Sequence, residues 1–196
     1  MGCGDSKPKE KSSALKTTGA SAGKVPECKV VFLGDANVGK SSMFQRFCHN
    51  KFPDSYDVTV GGAYNQKRVT LKNGEIMKLH LWDTGGEERF RSMASLYYRD
   101  ADAVVLTYDI TDMVTFKSID YWLKELDSKI QQDSLVLAIA GNKCDCETNR
   151  RVQTAMAKGF AKDKMIFYET SAKTGEGIEQ MFGEISEAVY AKKLSR

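Results

Sequence analysis

Residues 30–42 read Val-Val-Phe-Leu-Gly-Asp-Ala-Asn-Val-Gly-Lys-Ser-Ser, and their reading decides the fold. The apolar run 30–33 has no alternation, as expected of a strand covered on both faces. It passes directly into Gly34-Asp35-Ala36-Asn37-Val38-Gly39-Lys40-Ser41, which matches GxxxxGK[ST] in a strand-to-helix setting. Glycines at the two ends let backbone N–H groups close around phosphate oxygens, and the helix N-terminus favours their negative charge. Lys40 is placed to neutralise the outer phosphates, and the Ser41 hydroxyl to ligate magnesium. This stretch alone leaves adenine and guanine nucleotides equally open.

Outward from it, further apolar runs recur at 103–106, 135–140 and 165–168. Between them lie helical patterns: Phe116, Ile119, Leu123, Leu126 and Ile130, opened by a capping Asp112, and Ile178, Met181, Phe182, Ile185 and Val189. Strands alternating with amphipathic helices predict an α/β fold, a mostly parallel sheet with helices on both faces. One antiparallel hairpin is expected at Asn73-Gly74, where Met77, Leu79 and Leu81 alternate with Lys78, His80 and Trp82.

Composition narrows the function. A chain of 196 residues with 41% hydrophobic residues suits one domain with a tail. Residues 1–24 hold five lysines against Asp5 and Glu10, so this arm carries the whole of the net +3 and the remainder is neutral. A neutral body argues against a nucleic-acid binder. The arm is nearly free of large apolar residues and reads as flexible, giving an expected division into an arm over 1–27 and a globular domain over 28–193. Five scattered cysteines, including Cys144 and Cys146 beside Asp145, suggest reduced thiols and no zinc site. With no apolar run long enough to cross a bilayer and no secretory signal, a cytoplasmic protein is expected.

Asn142-Lys143-Cys144-Asp145 follows the buried run ending at Gly141, which places these side chains at the carboxyl end of a strand, where open α/β sheets bind ligands. The Asp145 carboxylate can accept from the ring N–H and exocyclic amine of guanine, and adenine presents the opposite pattern. Base choice then follows from donor and acceptor matching. Asp83-Thr84-Gly85-Gly86 ends the hairpin: Asp83 is placed to hold magnesium through water and the Gly86 N–H to meet a γ-phosphate. Thr59 offers the metal a second hydroxyl. Contacts that depend on the terminal phosphate exist with GTP and lapse with GDP, which makes an ordering switch.

These residues in this order resemble the small GTPases, which share the P-loop NTPase fold. The stretches WDTGGEERF, LYYR, YDIT, GNKCD and ETSAK resemble the Rab branch, over residues 28–190. The resemblance implies a six-stranded, mostly parallel sheet with one antiparallel strand, Mg²⁺ as cofactor, and GTP hydrolysis by a monomer. It implies an exchange factor, a GTPase-activating protein that supplies an arginine, and effectors, all working through the switches in vesicle trafficking. By the same likeness residues 36–42, Ser42 included, form the phosphate loop, Phe52 stacks on the base, Tyr56 covers the phosphates and Thr59 belongs to switch I. Residues 83–88 open switch II, Asn142, Lys143 and Asp145 read guanine, and Ser171, Ala172 and Lys173 support the base. Tyr64, Trp82 and Tyr97 match an aromatic trio used by Rab effector surfaces, and equally suit packing beneath the switches.

Two departures stand out. Where the family usually has Ala-Gly-Gln, this chain has Gly85-Gly86-Glu87. Ionised glutamate accepts hydrogen bonds but does not donate, so Glu87 both repels a γ-phosphate and offers a base or a water-orienting group. The alternative to a self-timing hydrolase is therefore a GTP-dependent effector-binding module that hardly hydrolyses; an ATP-using phosphotransferase is disfavoured by NKCD and ETSAK. The chain also ends Lys192-Lys193-Leu194-Ser195-Arg196 without the prenylated cysteines of typical Rabs. Instead Met1-Gly2-Cys3-Gly4-Asp5-Ser6 fits M-G-x-x-x-[ST], nominating Gly2 for myristate and Cys3 for palmitate. Two acyl chains beside lysines make a two-signal anchor, and this resembles the N-terminally acylated endosomal Rabs of plants and protists. The expected location is the cytoplasmic face of an endosomal, vesicular or plasma membrane.

Overall fold

The computed structural model describes residues 1–2, 25–52, 59, 62–86, 96–129 and 135–195. At its centre is the parallel strand β1 (Glu27–Leu33), which begins one residue inside the stretch assigned above to the arm. Strands β2 (Gly62–Thr70), β3 (Ile76–Thr84), β4 (Ala103–Asp109), β5 (Val136–Asn142) and β6 (Ile166–Glu169) complete a six-stranded sheet in the order β2-β3-β1-β4-β5-β6. Only β2 runs antiparallel to its neighbour, pairing Gly62 with Thr84 through to Thr70 with Ile76. Their hairpin turns at Asn73-Gly74 as expected: Gly74 has φ 86°, and the Asn73 side-chain oxygen accepts from the Glu75 N–H at 3.0 Å.

The strand sequences report their depth. β4 is buried at every position, because helices cover both of its faces. β2 alternates exposed and half-buried residues along its whole length, the signature of an edge strand. The alternation in β1 splits the core in two. Val30 and Phe32 face one cluster, with Met43, Phe44 and Phe47 of α1 (Lys40–His49) and Met181, Phe182 and Ile185 of the last helix, α4 (Ile178–Leu194). Val31 and Leu33 face the other, with Phe116, Ile119 and Trp122 of α2 (Met113–Lys129) and Ala157 and Ala161 of α3 (Thr154–Ala161).

The expected stripe on α2 is present in Phe116, Ile119 and Leu126, with Leu123 packed at its margin and Trp122 added, 2% exposed; Ile130 lies outside the described residues. Asp112 caps this helix, its Oδ1 accepting from the Val114 N–H at 2.9 Å. On the opposite face Phe182 stacks on Phe47 with centroids 3.9 Å apart and tilts against Phe32 at 5.7 Å, joining α4, α1 and β1. Because β1, β3, β4 and β5 run parallel, their carboxyl ends share one edge. The strand order reverses about β1, so the loops that follow it open a crevice there.

Candidate functional site

The loop after β1 is shaped by backbone that side chains resist. Gly34 has φ 146°, Asn37 63° and Gly39 92°, and the chain turns through them to start α1 at Lys40. Lys40 is 5% exposed. Its Nζ donates to the carbonyls of Gly34 at 2.8 Å and Asp35 at 2.7 Å, and burial lowers its pKa to about 8, against the opposing pull of Asp83 and Asp35. Gly86 presses against this ammonium: a Cβ there would stand 2.5 Å from the Asp35 carbonyl oxygen. Glycine is therefore the residue that lets the end of β3 approach the loop.

Beside Lys40, the Ser41 Oγ and Thr59 Oγ1 lie 2.7 Å apart. Asp83 is 1% exposed and its Oδ1 has no hydrogen-bond partner. Burial raises its pKa to about 6, with the Ser41 hydroxyl and Lys40 acting in the opposite direction. Two hydroxyls and one unsatisfied carboxylate oxygen form a hard oxygen set suited to Mg²⁺, which takes few protein ligands and keeps waters and phosphate oxygens for the rest.

The other end of the crevice is built after β5. Lys143 adopts φ 67°, which turns the chain into a short 3₁₀ helix over Cys144–Asn149, and its Nζ meets Asp109 Oδ2 at 2.5 Å. Asp145 receives the Ser171 hydroxyl on Oδ1 at 2.6 Å. Asn142 is 1% exposed. Its amide donates to the Val38 carbonyl at 2.8 Å, and its Oδ1 accepts from the Ala172 N–H at 3.2 Å. Asn142 thus ties the phosphate-side loop to the loop over 171–173.

One cavity of about 630 Å³ spans both ends. Of the residues singled out in the sequence, Ala36, Asn37, Gly39, Lys40, Ser41, Ser42, Phe52, Thr59, Gly86, Asn142, Lys143, Asp145, Ala172 and Lys173 line it. Gly34, Val38, Asp83 and Ser171 stand behind this lining, and Tyr56, Glu87 and Cys3 lie outside the described residues. Thr84 and Cys146 also line it. Cys146, one of the scattered cysteines, places its thiol 3.7 Å from Asp145 Oδ2. Thr84 had a legible signal, since it follows Asp83 directly; its hydroxyl donates to the Phe32 carbonyl at 2.7 Å.

Tyr64, Trp82 and Tyr97 form a continuous aromatic surface, with centroids 4.9 Å apart for Tyr64–Trp82 and 6.0 Å for Trp82–Tyr97, both pairs tilted by 49°. Tyr64 is 45% exposed. Gly2 is exposed with nothing within 4 Å of where a side chain would begin.

Comparison with known proteins agrees with this arrangement. The Ras family model matches residues 29–191. The chain is 41% identical to "Ras-related protein Rab-5B" of Plasmodium falciparum over 84% of its own length and 78% of that protein's. It is 43% identical to "Ras-related protein Rab-22A" of Mus musculus over 83% and 84%, and 40% identical to "Ras-related protein Rab-5A" of Dictyostelium discoideum over 88% and 83%. A strand, loop and helix built around Lys40, a loop over 171–173 held by Asn142, and matches of this extent make the chain a member of the Ras family of small GTPases.

Proposed function

We propose that the chain is a membrane-anchored, Rab-like switch that binds GTP and GDP with magnesium and works in endosomal or vesicular trafficking. The observation that carries the reading is that one cavity holds Lys40, Ser41 and Thr59 at one end and Asp145 at the other, with Asp83 behind it. Lys40 and the N-terminus of α1 hold the phosphates. Asp145, kept in place by the Ser171 hydroxyl, accepts from the guanine N–H groups, while the stems of Lys143 and Lys173 and the Phe52 ring flank the base. Ser41 and Thr59 would hold Mg²⁺ by their hydroxyls and Asp83 through water, and the ion would neutralise charge that develops on the phosphate oxygens.

Thr59 and Gly86 engage only while the γ-phosphate is present, and their release after hydrolysis withdraws the surface beside Tyr64, Trp82 and Tyr97 from effectors. Glu87 takes the water-positioning place, and an activating partner supplies the arginine. The endosomal setting is supported by likeness to the Rab-5 and Rab-22A proteins. Acylation at Gly2 and Cys3 is supported by the fit of the first six residues to the acylation pattern. The test is equilibrium binding of GDP and ADP with magnesium and with EDTA. Tight, magnesium-dependent retention of GDP and none of ADP is expected, and comparable retention of ADP would contradict the reading.

A further inference from the structure

Arg46 sits in the last turn of α1, away from the cavity lining, yet its guanidinium reaches four acceptors on two separate segments. Nε donates to the Ala172 carbonyl at 2.8 Å and Nη2 to the Lys173 carbonyl at 2.7 Å. Nη1 donates to the Asn50 carbonyl at 3.1 Å and to its side-chain oxygen at 3.0 Å. Both segments are walls of the base end: Ala172 and Lys173 line the cavity from one side, and Phe52, two residues beyond Asn50, lines it from the other. Asn50 holds the left-handed turn, φ 52°, that ends α1, and its N–H returns to the Arg46 carbonyl at 2.9 Å. A planar fork with five donors suits this task, since it spans fixed carbonyls that a single ammonium does not.

We infer that Arg46 is a positioning residue for guanine-nucleotide retention, clamping the 171–173 loop and the Phe52 segment to the same helix whose first turn carries Lys40 and Ser41. The inference rests on the guanine-nucleotide reading above. α1 is a ten-residue strut, so its two ends fix the spacing between the phosphate groups and the base walls. With the guanidinium removed, two backbone carbonyls of the base loop and the C-terminal turn of α1 lose their charged donor. The base walls then open independently of the phosphate end.

The experiment follows dissociation of GDP from the full chain after dilution into excess unlabelled nucleotide, with Mg²⁺ and again with EDTA. Arg46→Ala is expected to speed release by about tenfold, the loss of charged hydrogen bonds expressed as a rate. Arg46→Lys restores little of it, and Asn50→Ala, which removes one acceptor of the four, accelerates release less than Arg46→Ala. The acceleration persists in EDTA, because a clamp at the base end acts additively with loss of the metal at the phosphate end. Release at the wild-type rate in Arg46→Ala, full rescue by lysine, or an acceleration that vanishes once magnesium is chelated would overturn the inference. Asp145→Ala is the control for the underlying reading: if it retains GDP as the wild type does, guanine recognition itself fails, whatever Arg46 does.

Discussion

On the proposed reading, Lys40 and Asp145 bear the two chemical discriminations the cavity makes, one for phosphate and one for base. Burial of the Lys40 ammonium lowers its pKa to about 8, so at neutral pH it is still mostly charged while short of hydration, a state that a phosphate relieves. Lys40→Ala is therefore expected to abolish measurable GTP retention in a filter-binding assay; near-normal retention would show that the loop's backbone suffices. Asp145→Asn exchanges an acceptor for a donor at one oxygen, so affinity for GDP should fall on the order of 100-fold. Xanthine nucleotides, which carry a carbonyl where guanine has its amine, should gain by competition binding. These residues were legible in the sequence because each sits in a short stretch whose chemistry is local. The partners that hold them were not: Asp109 beneath Lys143 and Arg46 beneath 172–173 act across 34 and about 126 residues of chain, and nothing in their immediate neighbours announces it.

Among the elements, the periodicity of α4 and the unbroken apolar strands translated directly into the two-faced core, since each helix shows its stripe to one side of the sheet. Phe182 tests that packing. It stacks on Phe47 and tilts on Phe32, and Phe182→Ala is expected to cost about 3–5 kcal/mol by urea denaturation; a loss below about 1 kcal/mol would mean that α4 is not seated on α1. Trp122 and Leu123 are adjacent, and both fall within a helical turn of Ile119 and Leu126, so spacing alone does not choose between them; the structure buries Trp122 to 2% exposure and leaves Leu123 half-buried. The strand boundaries were also approximate. β1 reaches back to Glu27 because the parallel ladder with β3 continues there, pairing Glu27 with Lys78, a partner that local sequence does not reveal.

Over the whole molecule, the cavity and the point where the chain enters the sheet lie at opposite ends of β1. The cavity opens at the carboxyl ends of the parallel strands, and the N-terminal arm joins at the amino end of β1, a strand length of about 20 Å away. The last turn of α4 docks at the same amino end, where Lys193 Nζ donates to the Glu27 carbonyl at 2.5 Å and meets Asp102 at 2.8 Å. Acylation of the arm, as proposed, would tether the chain to a membrane through the amino end of β1. On that account Gly2→Ala moves the protein into the soluble fraction and Cys3→Ser weakens its membrane retention; unchanged fractionation of both variants contradicts the anchor. No helix among the described residues is long and apolar enough to cross a membrane. The central claim, a guanine-nucleotide switch that hydrolyses GTP on its own before an activating partner adds its arginine, is tested most directly by phosphate release in a single turnover of the GTP- and magnesium-loaded chain, alongside Glu87→Gln. The account predicts release from GTP with no turnover of ATP, at a rate that the glutamine variant changes. GTP held without release, or ATP cleaved as readily, would contradict it.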